Sequence, residues 1–378
     1  MLGNRKLILD TFCEVYDQLK PWSDGEFWDF AKHEVVSGAI YMIGRAQFNH
    51  NKDHIRQLVE SDTIKAILSN PAEGSQTLKA HCEGVHRCAD LVLSNRMLLV
   101  GGGDMDSSWP CLQYDSFLPK ILDYDENIAE IARMRDAPVD KPYKFLFLNG
   151  RIRGHRKFLI EKFKITGLLD HSIWTCLESR QGEKSRFELT YDGRDLMMAH
   201  TPTKLLDPYY EVSKYTPNIN NTFQNSFVKF ELFGNEWGEI YLKAEPYMDT
   251  YFSVVTETVF DYPYSFRTEK IWKPISMGHP FVVAANVGYL KDLRNMGFQT
   301  FGHVIDESYD LIEDGQQRLN RIADVVRDLC QQDLASFQKE CYNVCEHNQQ
   351  QLAAMRIKVR AEFPDRFQQF VRKYRFDE

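Results

Sequence analysis

Residues 251–286 read YFSVVTETVFDYPYSFRTEKIWKPISMGHPFVVAAN. The run from Tyr251 to Thr256 is apolar and β-branched, which marks a buried strand. A loop rich in Asp, Pro and Tyr follows. Arg267-Thr268-Glu269-Lys270 then leads into a short amphipathic helix in which Ile271, Ile275 and Met277 share one side. Gly278 ends that helix, and His279 to Ala285 reads at once as a second strand. The stretch is therefore a βαβ unit, and its polar residues gather where the first strand ends and the helix begins. Ligands of open α/β sheets bind at that edge.

The residue types there suit a nucleotide. Glu269 can accept two hydrogen bonds from the vicinal hydroxyls of a ribose. Lys270 and Arg267 can neutralise a diphosphate, and the first-turn amides of the helix add donors aimed the same way. Thr268-Glu269-Lys270, an apolar helix and a small-residue turn into HPFVV together resemble the donor-binding signature of GT-B glycosyltransferases of the fucosyltransferase-like kind. The resemblance implies that Glu269 contacts the ribose and Lys270 the phosphates of a nucleotide-sugar, and that no further cofactor is needed. The alternative is a capped surface helix with ordinary charges.

Upstream, Met134 to Pro142 (MRDAPVDKP) turns to Pro, Asp and charge, as a domain boundary does. Tyr143 to Leu148 (YKFLFL) then reads as a strand. Asn149-Gly150-Arg151-Ile152-Arg153-Gly154-His155-Arg156 follows, with a helix from Lys157 to about Lys164. A strand, a Gly-containing loop loaded with cations and a helix start form a phosphate grip. In the fucosyltransferase-like enzymes the second domain also opens with a strand, an Asn-containing loop and an Arg that reaches the diphosphate. Arg156 is the best positional match, with Arg151 and Arg153 as alternatives. Two anion-binding motifs at strand ends of one domain carry the reading further than either alone.

The N-terminal half repeats the alternation of strands and helices. Met1 to Tyr41 reads as helical packing, Ala39 to Ile43 as a strand, Lys52 to Ser61 as a helix, Thr63 to Leu68 and Met97 to Val100 as further strands. Short Gly, Pro and Asn turns between them indicate a parallel, doubly wound sheet. Two acids lie at strand ends: Glu73 in the loop 69–74, and Asp104 after the triglycine Gly101-Gly102-Gly103. Either suits the general base that an inverting transfer needs. The glycines permit close approach of a ligand to the backbone. Asp104-x-Asp106 also resembles the D-x-D with which GT-A glycosyltransferases hold a metal and nucleotide. His81, Cys82, His86 and Cys88 are metal-ligand types, but their spacing fits no standard structural zinc site, and no metal is assigned.

At 378 residues the chain has room for two domains. Its net charge of −8 gives no global attraction to nucleic acid or anionic membrane. No apolar stretch is long enough to span a bilayer. The first residues, MLGNRKLILDTFCEVYDQ, carry charges inside their only short apolar run, unlike a secretory signal. Eight cysteines are expected as reduced thiols of a cytoplasmic protein, and Cys341 and Cys345 as buried ones on a helix. After Val287 to Met296 (a helix) and Thr300-Phe301 (a short strand), long helices run to the end, the last rich in Arg and Lys.

The expected architecture is α/β: two Rossmann-like doubly wound domains facing a cleft (GT-B), with a helical C-terminal tail. Residues 1–138 would form the acceptor side, 139–312 the nucleotide-sugar domain, and 313–378 helices packing back on the domains. The expected function is transfer of a sugar from a nucleoside-diphosphate sugar to a hydroxyl acceptor, a glycan or a hydroxymethylated base in DNA as in phage enzymes. A metal-dependent GT-A transferase built on Asp104 and Asp106 is one rival. A non-enzymatic protein that binds nucleic acid or a partner through its basic C-terminal helices is the other.

Overall fold

The structure is a computed structural model. It describes residues 3–11, 13–27, 29–72, 88–104, 109–149, 153–176, 190–191, 194–195, 205–206 and 242–378. The chain forms two compact units. Unit 1 comprises Met1–Pro119, Tyr262–Arg267 and Met355–Glu378; unit 2 comprises Lys120–Asp261 and Thr268–Ala354.

Unit 1 is a six-stranded sheet of β1 (Leu7–Asp10), β2 (Gly25–Phe27), β3 (Ile40–Gly44), β4 (Lys65–Asn70), β5 (Met97–Gly101) and β6 (Cys111–Gln113). The order is β2-β1-β3-β4-β5-β6, and every neighbouring pair is parallel. Alternate residues point to opposite faces, and both faces are buried. Ile8, Tyr41, Ile43, Leu68 and Leu99 meet Phe48, Ile55 and Val59 of α1 (Arg45–Glu60) and Leu91 and Val92 of α2 (Ala89–Leu93). Leu7, Leu9, Met42, Ile67, Leu98 and Val100 meet Phe363, Phe367 and Val371 from the end of the C-terminal helix. That segment is thus the covering layer of the second face.

The first 41 residues depart from the helical expectation. Leu7–Asp10 is an inner strand, paired on both sides and wholly buried. Four consecutive buried residues carry no alternation to betray a strand; pairing with Ile40–Met42 decides the conformation. Helix α1 begins earlier than expected because Asn51 has non-helical φ/ψ and interrupts its pattern.

In unit 2, β7 (Tyr143–Asn149) is followed by α3 (Gly154–Ile165) and β8 (Ser172–Cys176). A short antiparallel pair, β9 (Thr190–Tyr191) with β10 (Arg194–Asp195), and β11 (Leu205–Leu206) come next. Then follow β12 (Thr250–Thr256), α4 (Glu269–Ser276), β13 (Phe281–Ala284), α5 (Tyr289–Asn295), α6 (Gly315–Leu329) and α7 (Leu334–Lys373). The sheet order is β11-β8-β7-β12-β13, with β11 antiparallel and the rest parallel. Phe145, Phe147, Phe163 and Phe252 form an aromatic core with ring centroids 5.3–5.6 Å apart. The expected strand at Thr300-Phe301 is a loop. Phe301 N and Thr300 Oγ1 donate to the Glu307 carboxylate, which replaces a strand partner.

The chain leaves β7 through α3 to β8 on one side and leaves β12 through α4 to β13 on the other. The crossover direction therefore reverses between β7 and β12. That reversal opens a crevice at the carboxyl ends of these two strands.

Candidate functional site

At that edge β7 and β12 end side by side, and Thr256 Oγ1 donates to Asn149 Oδ1 at 2.7 Å. Thr268 caps α4: its Oγ1 accepts from Lys270 N at 3.4 Å. Glu269, the first helical residue, is 6% exposed, and Lys270 Nζ sits 2.5 Å from its Oε1. Lys270 Nζ also reaches Thr258 Oγ1 at 3.1 Å and Thr268 Oγ1 at 3.2 Å. Burial pushes the Glu269 carboxyl up, but Lys270 and Lys273 more than offset this and hold it below the usual range. Thr268, Glu269 and Lys270 thus form one hydrogen-bonded group at the start of α4.

The basic loop contributes two arginines with different roles. Arg156 is 2% exposed, and its Nη2 donates to the carbonyls of Thr256 and Glu257, each at 3.1 Å. Arg153 caps α3. Its Nε is buried and has no hydrogen-bond partner among the described residues. Between them His155 Nε2 lies 3.0 Å from the Glu257 carbonyl, so this nitrogen carries the proton, and the ring stacks on Phe260. Burial, then the charge of Arg156, keeps His155 well below its ordinary pKa and neutral. Arg151 lies outside the described residues.

Sequence reasoning missed Glu257. Its side chain is fully buried, and four donors reach it. Thr268 N and the Tyr289 hydroxyl donate to Oε1 at 3.1 and 2.8 Å; Thr258 N and Thr268 Oγ1 donate to Oε2 at 3.1 and 2.7 Å. The available signal was its place, the first residue past an apolar strand. Arg318, also missed, stacks over Phe260 and donates to the carbonyls of Phe260, Ala285, Ile312 and Glu313, closing the same edge.

The other two candidates meet each other in unit 1. Both oxygens of Asp104 accept from Arg267, Oδ1 at 2.5 Å and Oδ2 at 2.6 Å, and Arg267 Nε donates to Asp115 Oδ2 at 3.2 Å. Arg267 is therefore grouped with Asp104 and not with Lys270. Burial raises Asp115 to about 6, against the pull of Arg267 and with a further push from Asp104. The triglycine turn serves this packing. A Cβ on Gly102 would lie 2.2 Å from Pro71 O and 2.6 Å from the Phe266 ring, and Gly103 has φ +83 beside Tyr264 and Ser265. The close approach is made by the chain's own Pro71 and its segment Tyr264–Phe266. Glu73, Asp106, His81, Cys82 and His86 lie outside the described residues.

Unit 1 has its own reversal between β1 and β3, where Gly44 N donates to the buried Asp10 carboxylate at 2.9 Å. Beside it Ser69 Oγ donates to Glu14 at 3.0 Å. The cations of the C-terminal segment are partly engaged: Arg366 donates to the Gln113 carbonyl, Arg372 pairs with Asp377, and Arg375 with Glu378. Cys341 and Cys345 are buried free thiols; burial raises both, Cys341 to about 12. Among the described residues no three His, Cys, Asp or Glu side chains are placed to share a metal ion, and no helix is long and apolar enough to cross a membrane.

Comparison with protein-family models, curated proteins and solved structures finds no match to this chain. The fold defines an α/β protein with parallel sheets and a long C-terminal helix.

Proposed function

We propose that this chain is a glycosyltransferase of the GT-B type and that unit 2 binds its nucleoside-diphosphate sugar donor. One observation carries the reading. The described parts of the two stretches read from the sequence as anion-binding, Asn149 with Arg153–Arg156 and Thr268–Lys270, flank the crossover reversal of a parallel sheet, which is where such sheets bind nucleotides. The cap and first turn of α4 supply backbone donors. Lys270, now held by Glu269 and two hydroxyls, exchanges those partners for diphosphate oxygens. Arg153 adds the second cation. Glu269, freed from Lys270, accepts from the ribose hydroxyls. Positive charge at the leaving diphosphate stabilises the charge that develops as the glycosidic bond breaks.

The acceptor is a hydroxyl, and a carboxylate base takes its proton. Both Asp104 oxygens already accept from Arg267, so Asp104 serves first to hold that arginine, and we assign the base to Glu73. Titration calorimetry with nucleoside diphosphates and the matching monophosphates tests the donor site. The expected result is binding of at least one diphosphate, at least tenfold tighter than its monophosphate. Equal or absent binding across the four common bases would remove the donor-site reading.

A further inference from the structure

We propose that Glu257 is the positioning residue of this edge: its carboxylate locks the starts of α4 and α5 together, and nucleoside diphosphate affinity depends on it without contact. The inference rests on the donor-site reading above. Each Glu257 oxygen takes one backbone N–H and one hydroxyl. Oε1 holds Thr268 N and Tyr289 OH; Oε2 holds Thr258 N and Thr268 Oγ1. Those donors come from the loop after β12, the cap of α4 and the first residue of α5. A single buried carboxylate therefore fixes the cap whose next two residues are Glu269 and Lys270. The residue's own carbonyl accepts from His155 and Arg156 at the start of α3, an attachment that does not use the side chain.

This division makes the proposal separable from general stability. A glutamine at 257 presents an amide NH2 to one of the two backbone N–H groups whichever way it flips, because each oxygen serves one of them. The damage falls on the starts of α4 and α5, while the bonds from α3 to the backbone carbonyl persist. Tyr289→Phe removes one hydroxyl donor and leaves both backbone bonds.

The test combines amide hydrogen exchange with calorimetric titration of the nucleoside diphosphates, on the full chain. In Glu257→Gln the amides of 268–272 and 289–292 should exchange at least tenfold faster, with 155–160 and the β7 and β12 amides unchanged. Its nucleoside diphosphate dissociation constant should rise ten- to a hundredfold. Tyr289→Phe should show the same pattern at about three- to tenfold and keeps the test open if the first variant does not fold. Combining Glu257→Gln with Lys270→Ala should cost less affinity than the two losses multiplied, because one acts through the other. Unchanged exchange at both helix starts overturns the proposal, and so does unchanged affinity in a folded variant. If the unmodified protein binds no nucleoside diphosphate, the donor-site reading fails and the affinity half of the proposal with it. The exchange pattern then still decides whether Glu257 joins the two helices.

Discussion

Arg153 and Arg156 stand three positions apart and do different work. Arg156 gives its Nη2 to two strand-end carbonyls in a buried setting, so Arg156→Ala should cost roughly 1–3 kcal/mol of stability in denaturant unfolding. Arg153→Ala should leave the unfolding midpoint unchanged and weaken nucleoside diphosphate binding about tenfold, the loss of one charge-assisted contact. The sequence showed the charges and ranked Arg156 first. It did not show which guanidinium the ends of β12 would claim, because that depends on carbonyls a hundred residues downstream. Asp115 was not singled out at all, since an isolated Asp after a short strand has no pattern; burial beside Arg267 makes it distinctive. Its carboxyl is raised from 3.8 to about 6 in the folded chain, so the native state holds this proton more tightly than the unfolded one. The sign follows: protonation stabilises, and the gain appears as pH falls through about 6 toward 3.8 and is missing above. Between pH 7.5 and 5 the unmodified protein should gain roughly 1–1.5 kcal/mol relative to Asp115→Asn. Urea unfolding of both at the two pH values measures this, and a constant gap would refute it.

Among elements, the triglycine turn shows how a correct local reading can have a different cause. Glycine was expected there for close approach of a ligand; the groups that approach are the Pro71 carbonyl and the segment Tyr264–Phe266. Gly102→Ala should therefore cost roughly 1–3 kcal/mol by overpacking, with faster amide exchange in 262–267 as its local signature. Wild-type protection in that segment would show that it does not seat on the turn. The βαβ unit at 250–284 was legible because its apolar run, cap and Gly278 follow one another at short range. Strand β1 was not, because three apolar residues and an Asp fit a helix turn as well as a strand, and only long-range pairing distinguishes them. The end of α7 was legible as a helix, and the resemblance implied that it packs back on the domains; which sheet face it covers was not legible. Phe363, Phe367 and Val371 recur at helical spacing and are wholly buried. Phe363→Ala should cost about 3–5 kcal/mol, read as a lower denaturant midpoint; a cost below 1 kcal/mol would mean that face is not sealed by this helix.

At the scale of the molecule, the chain visits unit 1 three times. The Pro- and Asp-rich stretch 134–142 looked like a boundary, yet the helix before it, Asp125–Arg133, is tied into unit 2. Asn127 accepts from Leu242 N, Glu130 from Ala244 N and Lys243, and Arg133 pairs with Glu245. Composition reports solvation of a stretch, and the bonds its neighbours make are invisible to it. Because Met355–Glu378 covers one sheet face of unit 1, a chain stopped after Ala354 should lose amide protection in β1, β3, β4 and β5. Protection in β7, β12 and β13 should persist. Loss in both units together would show that they do not unfold separately.

The scattered make-up of unit 1 has a consequence during synthesis. The ribosome delivers the first 119 residues early, but the segment that covers Leu7, Leu9, Met42, Leu98 and Val100 arrives only after all of unit 2. At about 5–20 residues per second that interval is roughly 10–50 s. Throughout it the nascent sheet has an uncovered apolar face, open to holdase chaperones or to a neighbouring nascent chain. Unit 2, although made later, is the first part of the protein able to finish folding.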